Sequence, residues 1–212
     1  MNIAKYIDHT LLKTTATPKD IEAHCLEAIK YGFYSVCVNP NYVSLVKSLL
    51  KGTDILTVSV AGFPLGESKT EVRVKEAITA VRDGAQEVDI VMAVSRLKAG
   101  DYDYVYNDVK SIVDACGIPI KVILETCHLT PSEIVKACDI IADTGAKFVK
   151  TSTGFFGAGA TVDNVKLMYD TVKGRCEVKA AGGIRDYEFA KALIDAGATR
   201  IGTSAGAKLI IN

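Results

Sequence analysis

Two lysines, Lys150 and Lys179, each follow a valine in a short strand-like segment, Phe148-Val149-Lys150 and Glu177-Val178-Lys179. Two amines in one partly desolvated pocket cannot both stay charged cheaply, so the pKa of one should fall. A neutral lysine near pH 7 attacks carbonyls, which is the first step of Schiff-base chemistry. Either lysine could be that amine, with the charge of the other rather than burial alone holding its pKa down. Asp89, in Glu87-Val88-Asp89-Ile90-Val91, offers a carboxylate that could move a substrate proton. The structural alternative is that Asp89 and Glu125 merely neutralise the two lysines.

Glycine-rich segments follow closely. Thr151-Ser152-Thr153-Gly154, Ala181-Gly182-Gly183 and Gly202-Thr203-Ser204 expose backbone N–H groups with little side chain in the way. Such loops, with a short final helix expected to begin near Ser204, bind phosphate without needing net positive charge. Thr151, Thr153, Gly154, Gly182, Gly183, Gly202, Thr203 and Ser204 are therefore the expected phosphate-end contacts.

These residues need a scaffold, and its punctuation repeats. Gly32, Gly84, Gly145 and Gly197 each end an amphipathic stretch and precede a β-branched run. They lie roughly 50 to 60 residues apart, too long for one βα unit and suited to two. Intermediate runs begin at Leu56, Lys121 and Glu177, and an opening strand near Tyr6-Ile7-Asp8-His9 brings the count to eight. Thr17-Pro18 and Thr130-Pro131 read as helix starts, an N-cap followed by proline at the first helical position. The expectation is one (β/α)8 TIM barrel over residues 1–212, an α/β fold. An open doubly wound sheet is disfavoured because no G-x-G-x-x-G follows an early strand.

Strand alternation divides the side chains into two faces. Val36 and Val38, Val58 and Val60, Val88 and Ile90, Val122 and Leu124 are assigned to the helix-facing side. The opposite parity then points inward: Ser35, Cys37, Thr57, Ser59, Glu87, Asp89, Lys121, Glu125, Lys150, Lys179 and Arg200. Glu87, Lys121 and Arg200 read as a structural ion-pair set. Asp8, Cys37, Asp89, Glu125, Lys150 and Lys179 lie nearer the C-terminal strand ends, where barrel enzymes react, with Asp8 and Cys37 expected to contact substrate.

Lys+Arg and Asp+Glu both number 25, so no net field favours nucleic acid or an acidic membrane surface. The N-terminus lacks the apolar segment of a signal peptide and no later run approaches the length of a membrane span, which predicts a cytoplasmic protein. The six cysteines lack C-x-x-C spacing and are expected as free thiols. His9, His24 and His128 lack zinc-site clustering, so no metal is expected.

Ile7-Asp8-His9-Thr10-Leu11-Leu12, Val36-Cys37-Val38-Asn39-Pro40, Val60-Ala61-Gly62-Phe63-Pro64-Leu65-Gly66, Val149-Lys150-Thr151-Ser152-Thr153-Gly154 and Val178-Lys179-Ala180-Ala181-Gly182-Gly183 occur in this order along essentially the whole chain. Together they resemble the deoxyribose-phosphate aldolases. The resemblance implies reversible cleavage of 2-deoxy-D-ribose 5-phosphate to D-glyceraldehyde 3-phosphate and acetaldehyde in deoxyribose catabolism. It implies no metal or organic cofactor, a homodimer or homotetramer, Lys150 as the Schiff-base lysine, Lys179 as the second lysine and Asp89 as the proton relay. Two departures stand out. Phe155 occupies a position where some members carry a lysine near the phosphate, and Leu209-Ile210-Ile211-Asn212 lacks the tyrosine-ended tail some members use in proton transfer. The rival readings are another Schiff-base barrel, transaldolase-like in substrate, and a catalytically silent sugar-phosphate-binding barrel.

Overall fold

In the computed structural model, which describes residues 1–210, eight parallel strands close into a barrel in sequential order. They are β1 (Ile7–Leu11), β2 (Ser35–Val38), β3 (Leu56–Ala61), β4 (Glu87–Val91), β5 (Ile120–Ile123), β6 (Phe148–Lys150), β7 (Glu177–Ala181) and β8 (Arg200–Thr203). Ile211 and Asn212, part of the C-terminal departure noted above, lie outside the described residues.

The helices follow from local signals. Helix α1 (Pro18–Tyr31) opens on a Thr17 capping box that pairs with Asp20, and α6 (Pro131–Asp143) opens on the same device between Thr130 and Glu133. Between them lie α2 (Val43–Leu49), α3 (Thr70–Arg82), the short α4 (Val94–Lys98) and α5 (Tyr102–Cys116); α7 (Val162–Val172), α8 (Tyr187–Asp195) and α9 (Gly206–Ile210) complete the chain. The repeated glycines turn each helix back into a strand. Gly197 shows why no other residue serves there: φ is +115°, and a Cβ would lie 2.4 Å from the Tyr169 ring.

The main apolar core lies between the strands and the helices, where Val36, Val38, Val88, Ile90, Val122, Leu124, Val149 and Val178 meet the buried faces of the helices. Strand β3 departs from the expected parity. Its Val58 and Val60 point into the barrel, forming a small apolar patch with Leu12 and Cys37, while Ala61 joins the outer core. Register agrees, since Val58 pairs with Cys37 and Glu87, and Val60 with Asp89. Thr57 and Ser59, assigned inward from sequence, therefore face the helices. Alternation separates the two faces of a strand but does not say which is inside when both are buried. The lower barrel is filled by the Arg200 guanidinium, 3.5 Å from the Tyr34 ring centroid and 5.1 Å from that of Phe148.

Candidate active site

Parallel pairing puts Lys150 directly beside Lys179 on β6 and β7, and Asp89 beside Lys121 on β4 and β5. All three lysines meet on Asp89. Its Oδ2 accepts from Lys150 Nζ and Lys179 Nζ, each at 2.7 Å, and its Oδ1 accepts from Lys121 Nζ at 2.8 Å. Lys179 also donates to Asp8 Oδ2 at 2.5 Å, Lys121 reaches Glu87 at 2.7 Å, and Arg200 joins Asp8 at 2.9 Å and Glu87 at 3.0 Å. The separation into structural and functional charges expected from strand height does not hold. Asp8 and Asp89 connect them into one network.

Counting that network distinguishes the amines. Three carboxylates, Asp8, Glu87 and Asp89, face four cationic side chains, Lys121, Lys150, Lys179 and Arg200. The interior balances when one cation releases its proton. Lys150 holds a single carboxylate, whereas Lys121, Lys179 and Arg200 each hold two or more. Burial lowers the Lys150 pKa, Asp89 opposes it, and the Lys179 cation adds a further lowering. Burial also works against Lys179, but Asp8 and Asp89 overcome it and hold that amine above its ordinary value. Lys121 is likewise raised, by Asp89, Asp8 and Glu87 against burial. The expected charge repulsion is thus present but secondary: desolvation is the larger cause. Burial opposes ionisation of Asp89 too, and Lys121, Lys150 and Lys179 overcome it, keeping the carboxyl well below its usual range.

Above this network a cavity of about 490 Å³ opens at the C-terminal ends of the strands. Lys150 is 3% exposed and contributes to its wall, whereas Lys179 and Asp89 are fully buried beneath it. Thr153 and Gly154 after β6, Gly182 and Gly183 after β7, and Gly202, Thr203 and Ser204 at the end of β8 form the rim. The N–H groups of Gly154, Gly183 and Ser204 have no acceptor among the described residues. The closing helix begins at Gly206, just after Ser204, and spans five residues, so loop amides line this end of the cavity.

Three expected contacts lie elsewhere. Asp8 is fully buried, holding Ser35 Oγ at 2.6 Å as well as Lys179 and Arg200, and is a counter-ion beneath the cavity. Cys37 lies in the inner apolar patch, its thiol pushed up to about 11 by burial and then by Asp89. Thr151 bridges β6 and β7, its hydroxyl donating to Ala181 O at 2.8 Å and accepting from Ala181 N at 3.0 Å. Sequence reasoning missed Thr10, Leu12, Lys13 and Arg185, which also line the cavity. The signal for the first three was their place just at or after β1, since βα loops build barrel sites. All six cysteines are free thiols, and His9 stacks on His24 with ring centroids 3.5 Å apart.

The family described as DeoC/LacD family aldolase matches residues 2–209. The chain belongs to that aldolase family. The deoxyribose-phosphate aldolase of Thermoanaerobacter sp. (strain X514) is 55% identical over 214 residues, covering 99% of this chain and 96% of that protein. That of Thermococcus gammatolerans is 54% identical over 215 residues, covering 99% and 96% respectively. The solved tetrameric deoxyribose phosphate aldolase from Aeropyrum pernix superposes with a TM-score of 0.91 at 35% identity, covering 98% of this chain and 89% of that one. As an aldolase, this chain makes or breaks a carbon–carbon bond beside a carbonyl.

Proposed function

We propose that this aldolase reversibly cleaves 2-deoxy-D-ribose 5-phosphate to D-glyceraldehyde 3-phosphate and acetaldehyde through an imine on Lys150. The observation that carries the reading is an amine of lowered pKa, held by a single carboxylate, in the wall of a cavity whose rim presents free backbone N–H groups. The first activates an aldehyde; the second suits a phosphate.

Neutral Lys150 adds to the C1 carbonyl carbon, and the resulting carbinolamine loses its hydroxyl as water, with Lys179 as the nearby proton source. The iminium so formed is an electron sink. Asp89, acting through a water and with Lys179, assists removal of the C3 hydroxyl proton as the C2–C3 bond breaks and its electron pair moves into the iminium. Glyceraldehyde 3-phosphate departs, the enamine is protonated at C2, and water releases acetaldehyde and restores the amine. Asp8, Cys37 and Thr151 shape and charge the walls without touching substrate. Cytoplasmic location and a homodimer or homotetramer complete the reading, supported by the free thiols and by the tetrameric Aeropyrum relative.

Borohydride reduction in the presence of acetaldehyde tests it. Peptide mass spectrometry should find an ethyl group on Lys150. An adduct on another lysine, or none, overturns the imine assignment, and a different aldehyde product from the sugar phosphate overturns the substrate.

A further inference from the structure

Glu125 follows β5 and is used by no step above. Its backbone is left-handed, with φ +55°, a conformation costly for a residue carrying a Cβ and free for glycine. The side chain is 1% exposed, and its carboxylate accepts only neutral donors among the described residues. Both features work against stability, because a buried carboxylate without a cation loses hydration that three neutral hydrogen bonds replace only in part. The position is therefore held for what the carboxylate does to its surroundings.

Those surroundings are one turn of the cavity rim. Thr153 N lies 3.3 and 3.2 Å from the two Glu125 oxygens, and Thr153 Oγ1 donates to Oε2 at 2.5 Å. Because that hydroxyl proton is committed to Glu125, the Thr153 oxygen is left to accept from Phe155 N, at 3.1 Å. The amides of residues 153 and 155 are thereby turned into the protein, and the N–H of Gly154 between them is the one left over. Gly154 itself has φ +84°, and its Cβ position lies 3.8 Å from Gly182 Cα, so the turn stands directly against the glycine loop after β7.

We propose that Glu125 is a positioning residue for the anionic end of the substrate: through Thr153 it selects the Gly154 N–H as the rim donor and so sets affinity for the phosphoryl group. This rests on the phosphorylated-sugar reading above. Glu125 does not contact substrate and carries no proton in the reaction.

The test compares Glu125→Gln with the parent on 2-deoxyribose 5-phosphate and on 2-deoxyribose. The amide offers one accepting oxygen and turns an N–H toward the other Thr153 donor, so the turn loosens. KM for the phosphorylated sugar should rise about tenfold more than KM for deoxyribose, with kcat on both within a few-fold and the pH profile of kcat unshifted. Inorganic phosphate, used as a competitor of deoxyribose cleavage, should inhibit the variant about tenfold more weakly than the parent. A collapse of kcat with an altered pH profile would make Glu125 a proton carrier and overturn the proposal, as would equal losses on the two sugars or no loss on either. If Glu125→Gln does not fold, Thr153→Val removes the same hydroxyl link and must show the same preference for damaging the phosphorylated substrate. Acetaldehyde trapping on Lys150 in the parent is run alongside: its failure refutes the imine reading and leaves the result for Glu125 separately legible.

Discussion

Replacing Lys179 with leucine separates the two causes that lower the Lys150 pKa. Both ammonium groups lie 2.7 Å from the same Asp89 oxygen, which limits their separation to roughly 5 Å. At an effective dielectric of about 20, two unit charges at that distance repel by about 3 kcal/mol. This corresponds to a factor of roughly 100 in the ratio of neutral to charged amine. The replacement also leaves Asp8, Glu87 and Asp89 facing only Lys121 and Arg200, so the interior balances with Lys150 protonated. Both effects act in one direction: at pH 7 the reactive amine becomes scarce. We expect kcat/KM on 2-deoxyribose 5-phosphate to fall by about 100-fold or more at pH 7 and to recover by up to about tenfold per pH unit as alkali restores the neutral amine. The assay is a pH series of glyceraldehyde 3-phosphate release, with circular dichroism at each pH to confirm folding. Residual activity that stays flat with pH would refute the repulsion argument and assign Lys179 to proton transfer alone. Nearly full activity with an unchanged optimum would show that burial sets the Lys150 pKa by itself.

Lys150→Met should abolish cleavage and trapping while stabilising the fold at neutral pH. A lysine whose pKa is lowered by folding is protonated more in the unfolded chain, so parental stability rises with pH up to its ordinary value of 10.5. That slope should be shallower in the variant, as read from urea midpoints across pH; parallel slopes would contradict a lowered pKa. Gly183→Asp should cost more than Gly183→Asn on the phosphorylated sugar, by about tenfold in kcat/KM or more, because both replacements meet the same φ of +77° and only one adds a charge. Equal losses would mean that no anion binds beside Gly183. His9 and His24 are held down to about 3 and about 4, each chiefly by burial, with His24 adding to the lowering of His9. The unfolded chain takes up these protons first, so stability is lost as pH falls below 6.5. His24→Phe should extend acid stability by about one pH unit in thermal melts, and an unmoved acid limb would place the sensitivity elsewhere.

What the sequence determined by itself is the part of this protein written in local chemistry. Thr17-Pro18 and Thr130-Pro131 start helices because capping and a proline-compatible first turn are short-range effects. Gly32, Gly84, Gly145 and Gly197 adopt positive φ because only glycine does so without strain, and they mark the recurring passage from helix to strand. Lys150 and Lys179 could be placed side by side because each is the third residue of its strand, after a valine, and the ladder pairs them directly. Which amine has the lowered pKa was not legible in that pattern, since the answer depends on how many carboxylates each cation meets. Asp8 reaches Lys179 across 171 residues of sequence and Arg200 across 192. The facing of β3 was equally hidden: its valines alternate as clearly as those of its neighbours, but inside a closed barrel both faces are buried and only the register with Cys37 and Asp89 distinguishes them. Thr151 and Thr153, two residues apart and alike in chemistry, end in different roles for the same reason. One hydroxyl meets Ala181 on β7 and the other meets Glu125 beyond β5, and partners that distant in sequence are assigned only when the chain closes around them.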